Sequence, residues 1–524
     1  MQNAKIKPIV IQNPLGGMGY DLSASNNAAV QAKEDQYTTS DGVSLFRLGK
    51  VGHIAPGETY ASLTDATPYV TSLLLNATMT SGGAAYAISD QPKLIQIDSS
   101  AGLDTVSLTR TVALSGSHSG HSSLTGTYSD VLSYKNGTNE YVLYSWSDGT
   151  DGDVGRMLKD GSSPSDNFLS TLATQTSGTA LTAAVPHIMA IGADGIIYIT
   201  NGQYIASHDP NTTTVNYQAL NLGWGWIATT LSTYGNYLVI GGYKATTWIS
   251  SWARSDAKVW FWNGYAPDPN FVYQANDNYV SALVNNQGIL QVFTQGRSNS
   301  VKVKQFNQQF GRFDTIFESA KIGSAPRHGS VEVFEGKLHW AAAGGTQINV
   351  LDGTAFHVRN SPTDGSVFAS DIGFVKNLSA GYLYLGVKAA TTPTTYKIMR
   401  SATQTAGYQT PANFRSRLIE LPYKSVVKKI TILFSQFAAS SSLLVSLFQD
   451  YNSVSPGGAT DLLNWTITST SEPTVITNMA AKRQKAIPDI SSFYLNLRFN
   501  HSAITDTAAI VRAIVIEYEA ADNP

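Results

Sequence analysis

The sequence predicts an all-β protein, and three observations carry that prediction. The composition combines 44 Gly, 26 Tyr and 19 Phe with only 14% charged residues in a chain of 524. A hairpin-like unit returns along most of the length, and past residue 410 the pattern changes to long alternating strands. Aromatic and β-branched residues fit a pleated surface, and the small residues between them punctuate it.

Composition also excludes several classes. A hydrophobic fraction of 42% is too high for a disordered chain. With no Cys there is no disulfide framework, no cysteine zinc site and no thiolate nucleophile. A net charge of −2 is not that of a polycation built for nucleic acid or anionic lipid. The length implies two or three domains, or a repeat array with additions. Only Ile9–Ile11 is apolar near the start, short of the roughly 7–15 residues of a secretory core, so no leader and no membrane anchor is expected.

The repeating unit is a Gly-containing turn, an apolar strand with alternating aromatics, and a second strand ending near an acid or a Gly. It is clearest at Asp194–Ile199 with Gln203–Asp209, and at Tyr234–Ile240 with Lys258–Gly264. It returns at Gln287–Phe293 with Val301–Phe306, at Glu335–Trp340 with Gln347–Gly353, and at Ala380–Leu385 with Tyr396–Met399. Two weaker copies are Gly83–Ile88 with Lys93–Asp98, and Asn139–Tyr144 with Gly155–Leu158. About seven units spaced by roughly 40–56 residues match the period of a β-propeller, with about four strands per blade. The propeller is placed at residues 66–410.

Residues 411–524 differ. Val426–Phe434, Ser442–Asp450, Phe493–Phe499 and Ile510–Tyr518 alternate over long stretches, which fits strands with one buried and one wet face. A C-terminal antiparallel β-sandwich is the expectation there. Residues 1–65 are Gly-, Ala- and Asn-rich and read as an extended N-terminal arm with little core of its own.

Catalytic motifs are sparse. Asn13–Gly19 is Gly-rich but no strand-to-helix context surrounds it, so it reads as arm rather than phosphate loop. His118 and His121 share a short spacing without a completing carboxylate, and His187, His339 and His357 lie in or beside strands as packed or hydrogen-bonded groups. Asp148, Asp151 and Asp153 have calcium-like spacing with Gly between them, so a structural calcium is a candidate there, against a solvated turn. Asp194, Asp209, Asp352 and Asp371 sit at strand ends as turn formers. With Arg254, Arg297, Arg312 and Arg327 such acids would have to converge on the axis for a glycosidase-like site. The run Lys424–Lys429 reads as a solvated strand start.

Six of the nine Trp fall in Gly223–Trp226 and Trp248–Trp262. Trp260 and Trp262 share one side of a strand, with Phe261 opposite. Packing between sheets is one reading; the other makes Trp224, Trp226, Trp260 and Trp262 a sugar-stacking or partner-contact surface.

The repeat, the arm before it and the stretch Leu421–Ile430 through Ile510–Tyr518 together resemble propeller-type tail proteins of tailed bacteriophages, among them the nozzle proteins of short-tailed phages. The arm departs from the nozzle pattern. The resemblance implies a non-enzymatic virion protein, made in the host cytoplasm, that contacts other tail proteins. Its copies would form a homo-oligomer around the DNA exit channel. A lumen without many Lys and Arg would let DNA pass without sequence-specific binding or sticking. The alternative is a host-receptor or glycan-binding propeller, acting as an adhesin, a lectin or a glycosidase-like protein.

Overall fold

The computed structural model describes residues 6–11, 37–41, 43–48, 51–56, 60–63, 70–98 (save 82, 91 and 92), 107–113, 129–147 and 151–245. It also describes 254–401 (save 297–298, 320–322, 354, 361, 365–366, 380 and 392–393), 412–416, 418–435, 440–448, 462–468, 479–500 and 510–519. Among the described residues there is no α-helix, and so no helix long and apolar enough to cross a membrane. The strands form two compact units. One comprises residues 1–60, 348–361 and 401–524; the other comprises 61–347 and 362–400.

In the first unit the expected arm is strand wherever it is described: β1 (Ile6–Ile11), β2 (Tyr37–Asp41), β3 (Val43–Leu48) and β4 (Val51–Pro56). The second unit opens with β5 (Tyr60–Ser62). Seven small sheets follow in chain order, all in this unit but for the last two strands of the sixth, which fall in the first unit. The first is β6 (Leu74–Met79), β7 (Ala84–Ser89), β8 (Lys93–Asp98) and β9 (Ser107–Ala113). The second is β10 (Val131–Asn136), β11 (Asn139–Ser147) and β12 (Gly152–Leu158). The third holds β13 (Thr174–Thr176), β14 (Met189–Ile191), β15 (Ile197–Asn201), β16 (Tyr204–His208) and β17 (Thr214–Asn221), with β13 parallel to β17 at its outer edge.

The fourth sheet is β18 (Trp226–Tyr234), β19 (Tyr237–Ala245), β20 (Arg254–Trp262) and β21 (Phe271–Gln274). The fifth is β22 (Tyr279–Asn286), β23 (Ile289–Gln295), β24 (Val301–Asn307) and β25 (Arg312–Glu318). The sixth is β26 (Pro326–Phe334), β27 (Lys337–Ala342), β28 (Ile348–Asp352) and β29 (Ala355–Asn360). The seventh is β30 (Thr363–Asp364), β31 (Val367–Ser379), β32 (Tyr382–Ala389) and β33 (Thr395–Ser401), completed beyond β33 by β5.

Each expected hairpin supplies the second and third strands of one of these sheets, counted from β6, β10, β14, β18, β22, β26 and β31. The turn before it carries a left-handed glycine in all seven: Gly83, Gly137, Gly195, Gly235, Gly288, Gly336 and Gly381. At Gln287-Gly288 and Glu335-Gly336 both central residues have positive φ (51° and 87°, 52° and 74°). That conformation matches the right-handed twist of the flanking strands, and it makes the glycine the residue of choice.

The first full strands, β6, β10, β14, β18, β22, β26 and β31, each touch the next, and β31 touches β6. β26 also touches β6 directly, although β31 lies between them in that series. The approach is close: a Cβ on Gly329 would lie 2.1 Å from Leu75 O and 2.9 Å from Asn76 Cα, and one on Gly373 would lie 2.0 Å from Leu74 O. Core residues lie between neighbouring sheets. Ile205, Leu220, Ala228, Ile240, Trp260 and Trp262 pack together between the third and fourth.

The C-terminal strands of the first unit are β34 (Ala412–Ser416), β35 (Ile419–Phe434), β36 (Ser442–Phe448), β37 (Leu463–Thr468), β38 (Met479–Asn500) and β39 (Val511–Glu519). The long strand β38 pairs with β35 through its first half and with β36 and β34 through its second. Side chains from these strands enter one core, among them Phe414, Ile432, Val445, Leu497 and Ile516. β1 pairs antiparallel with β39, from Ile6 opposite Glu519 to Ile11 opposite Ile514, and Ile9 packs on the same core. The N-terminal segment is therefore built into the C-terminal β-structure.

Gly329→Ala should lower unfolding free energy by about 2 kcal/mol or more, because its methyl meets backbone rather than a yielding side chain. Denaturant titration measures this, and a midpoint unchanged from wild type would show that β26 and β6 have room to separate.

Candidate interaction surface

The tryptophans divide. Trp226, Trp260 and Trp262 are buried, so the expectation that they form a contact surface is corrected for all three. The rings of Trp226 and Trp260 meet edge-to-face at 5.1 Å, and Trp262 meets Tyr198 likewise at 5.4 Å. Trp262 Nε1 donates to Ala266 O (2.7 Å), which satisfies the indole inside the core. Lys258 Nζ stands 4.4 Å from the Trp226 ring centroid. Phe261 faces the other way, into the core shared with the fifth sheet, as the strand alternation requires.

Of these four, Trp224 alone is presented outward, at 80% exposure. Its neighbours Gly223 and Gly225 both have positive φ (97° and 81°). The loop is tied down by Gly223 N donating to Asn221 Oδ1 (2.9 Å) and Ala245 N to Gly225 O (2.8 Å).

Of the acidic run, Asp148 lies outside the described residues and Asp151 is exposed. Asp153 is buried and accepts hydrogen bonds from Ser170 Oγ (2.6 Å) and its following amide, Val154 N (2.7 Å). Burial raises its pKa above the ordinary aspartate value, with those hydrogen bonds acting the other way. Among the described residues no three His, Asp or Glu stand together as metal ligands.

Several polar groups on or beside the first strands of the sheets bind one another across sheets. Asp130 accepts from Asn76 Nδ2 in the first sheet, from Val131 N (2.9 Å), and from Met189 N (2.8 Å) in the third. Arg327 grips Asp371 with both terminal nitrogens (2.9 and 2.8 Å), and Gly344 N donates to the same carboxylate (2.9 Å). Thr230 Oγ1 and His328 Nδ1 share a hydrogen bond of 2.8 Å between the fourth and sixth sheets. Of the other expected arginines, Arg312 is exposed and pairs with Asp314 (2.8 Å). Arg297 and the side chain of Arg254 lie outside the described residues. Asp194 and Asp209 form turns by accepting from Ile196 N (3.0 Å) and Asn211 N (2.9 Å). Lys428 and Lys429 pair with Glu519 and Glu517 (2.8 and 2.9 Å). His118, His121 and the side chain of His357 also lie outside the described residues, while Asp352 is exposed at its strand end.

His187 is fully buried, with Nδ1 3.0 Å from Thr200 O. No partner reaches its Nε2, and burial lowers the ring's pKa to about 4. His339 is buried against Phe334.

A surface that sequence reasoning missed lies on the fourth and fifth sheets. Phe271 and Val272 on β21 are each 48% exposed, Phe310 is 63% exposed and Ile289 43%. Phe271 leans on Tyr237 (5.8 Å between centroids) and Tyr273, and Tyr273 continues to Phe306 (5.2 Å) and Phe313 (6.2 Å). Gly311, next to Phe310, sits over Tyr273. The turns β18–β19, β20–β21, β22–β23 and β24–β25 fall at the same end of their sheets, which gathers these residues on one side. The legible signal is an uncharged outer strand, Phe271–Gln274, close to an aromatic turn at Phe310.

No family model matches the sequence, and no curated protein matches it. Solved structures match at low similarity. A crystal structure of Raptor from Chaetomium thermophilum is 11% identical with a TM-score of 0.43, over 66% of this chain and 30% of that one. The chain thus spans less than a third of Raptor's length. A computationally designed protein, Ika8, is 11% identical with a TM-score of 0.40, over 64% of this chain and 99% of that one. A candidate 6-phosphogluconolactonase from Bacteroides uniformis is 13% identical with a TM-score of 0.39, over 59% and 91%.

Because His187 stays neutral when folded while the unfolded ring titrates near its ordinary value, the unfolded chain binds the extra proton between about pH 6.5 and 4. Stability from this group therefore falls as pH drops through that window. Relative to wild type, His187→Gln should gain on the order of 2–3 kcal/mol between pH 7 and pH 4. Denaturant unfolding of both proteins across the window gives the difference; a constant offset would mean the buried ring takes up its proton over the same pH range as the unfolded one.

Proposed function

We propose that this chain is a structural protein of a bacteriophage virion tail, of the nozzle or tail-tip type. Copies assemble as a homo-oligomer around the DNA exit channel and contact other tail proteins. In this reading the seven sheets are the blades of a seven-bladed β-propeller, supported by the closed series of first strands from β6 to β31 and back. The first unit is a β-sandwich, supported by the passage of β38 from one set of pairings to another over a shared core.

The observation that carries the functional reading is how the inner polar groups are used. Asp130, Arg327, Asp371, Thr230 and His328 join sheet to sheet, which makes a rigid framework of the place where a propeller enzyme keeps its reacting groups. The approach of Gly329 to Leu75 O also fills the middle of the propeller. A DNA lumen would then run between copies and not through one. The protein would be made in the host cytoplasm and leave with the virion, with no cofactor required. A second reading, contact with a host glycan, is favoured by the exposed Trp224 ring on its fixed loop.

Mass photometry and cryo-electron microscopy of the purified chain test this. A ring with an open central channel is expected. Single copies at all concentrations that retain a glycan on an array, and lose it in Trp224→Ala, would replace the tail reading with the second one.

A further inference from the structure

We propose that the outer edge of β21 is a docking site for an extended peptide strand of another polypeptide, added as a fifth strand to the fourth sheet. This goes beyond the tail reading and does not depend on it.

The other outer edges are managed in two ways. Some are covered by an added segment: β5 lies beyond β33, with Leu63 N donating to Ile398 O (2.8 Å), and β13 lies beyond β17. Along β12 the segment near Ser165 takes that place, with Ser165 and Arg156 exchanging backbone hydrogen bonds of 2.8 Å. Others carry charge, as β25 does with Arg312, Asp314 and Glu318 and β9 with Arg110, while β29 is in contact with β2 and β3. Charge on an edge strand discourages further pairing.

β21 has neither protection. Its sequence, Phe271-Val272-Tyr273-Gln274, is uncharged, and no strand lies beyond it among the described residues. Phe271 and Val272, which point to opposite faces, are both half exposed. An added strand would cover both and bring its own side chains against them.

The size of the apolar patch selects the occupant. Phe271, Ile289 and Phe310, with Val272 on the opposite face of β21, together expose on the order of 400 Å². A stable contact between folded proteins takes about 800 Å² from each partner. The patch is about half that, which suits a single strand held by main-chain hydrogen bonds with alternate apolar side chains, as in strand addition to an open sheet edge. The covered edges at β33 and β17 show that three residues are enough to close such an edge in this fold.

The test uses the full chain and a fluorescein-labelled, capped hexapeptide alternating Val and Thr, read by fluorescence anisotropy. Saturable binding is expected. It should weaken at least tenfold for Val272→Lys, about two- to threefold for Val272→Thr, and at least tenfold for a peptide with Pro at its centre. Thermal midpoints of both variants should stay with the wild type, since Val272 is half exposed. No saturable binding, or equal binding by wild type and Val272→Lys, overturns the proposal. Concentration-dependent self-association that Val272→Lys abolishes would also overturn it, in favour of a second copy as the occupant.

Discussion

The close approach of the first strands in the seven sheets governs the rest of the second unit. At Gly329 and Gly373 the opposing backbone leaves no space for a methyl group. Backbone at that distance expels water, so every polar group on those strands must find a protein partner. The result is the set of clamps at Asp130, at Arg327 with Asp371, and at Thr230 with His328. Each clamp links different sheets and fixes their separation, which in turn sets how the large side chains between them interlock. Trp226, Trp260 and Trp262 are buried because the third and fourth sheets meet at that spacing.

The same constraint explains which elements are legible in the sequence. The second strand of each sheet is largely apolar and opens on a left-handed glycine, so all seven hairpins can be read. The first strands are hard to read because crowding selects small and polar residues there, as in Pro326–Ser330. Outer strands such as Thr174–Thr176 are short and exposed and carry no period at all. The N-terminal strands read as an arm because β1 is six residues long and its partner, β39, lies at the far end of the chain. Local periodicity holds no record of a pairing between the two ends of a chain of 524 residues.

For the candidate surface, alternation places Trp260 and Trp262 on one side of β20 and Phe261 on the other. Periodicity identifies a face but not what covers it, and here another sheet covers both faces. Trp224 differs because two left-handed glycines turn it out of the strand pattern. Phe271 and Phe310 are concealed in the sequence for different reasons. Phe271 belongs to an apolar run that looks like core and is exposed because β21 ends its sheet, while Phe310 is a single aromatic in the polar turn before β25.

Both units are completed by strands from early in the chain. β1 waits for β39, and β5 waits for β33. Until β33 is made, the seventh sheet lacks its outer pair, and until β39 is made, β1 has no edge to join. Such long-range pairing must meet its loop-closure cost before any contact repays it, which slows folding and leaves edges open meanwhile. The left-handed turns offset part of this by letting the first two strands of each sheet pair locally. The seven sheets can then assemble from preformed pairs, and the strand additions at β33 and β39 act as the final, sequence-distant locks.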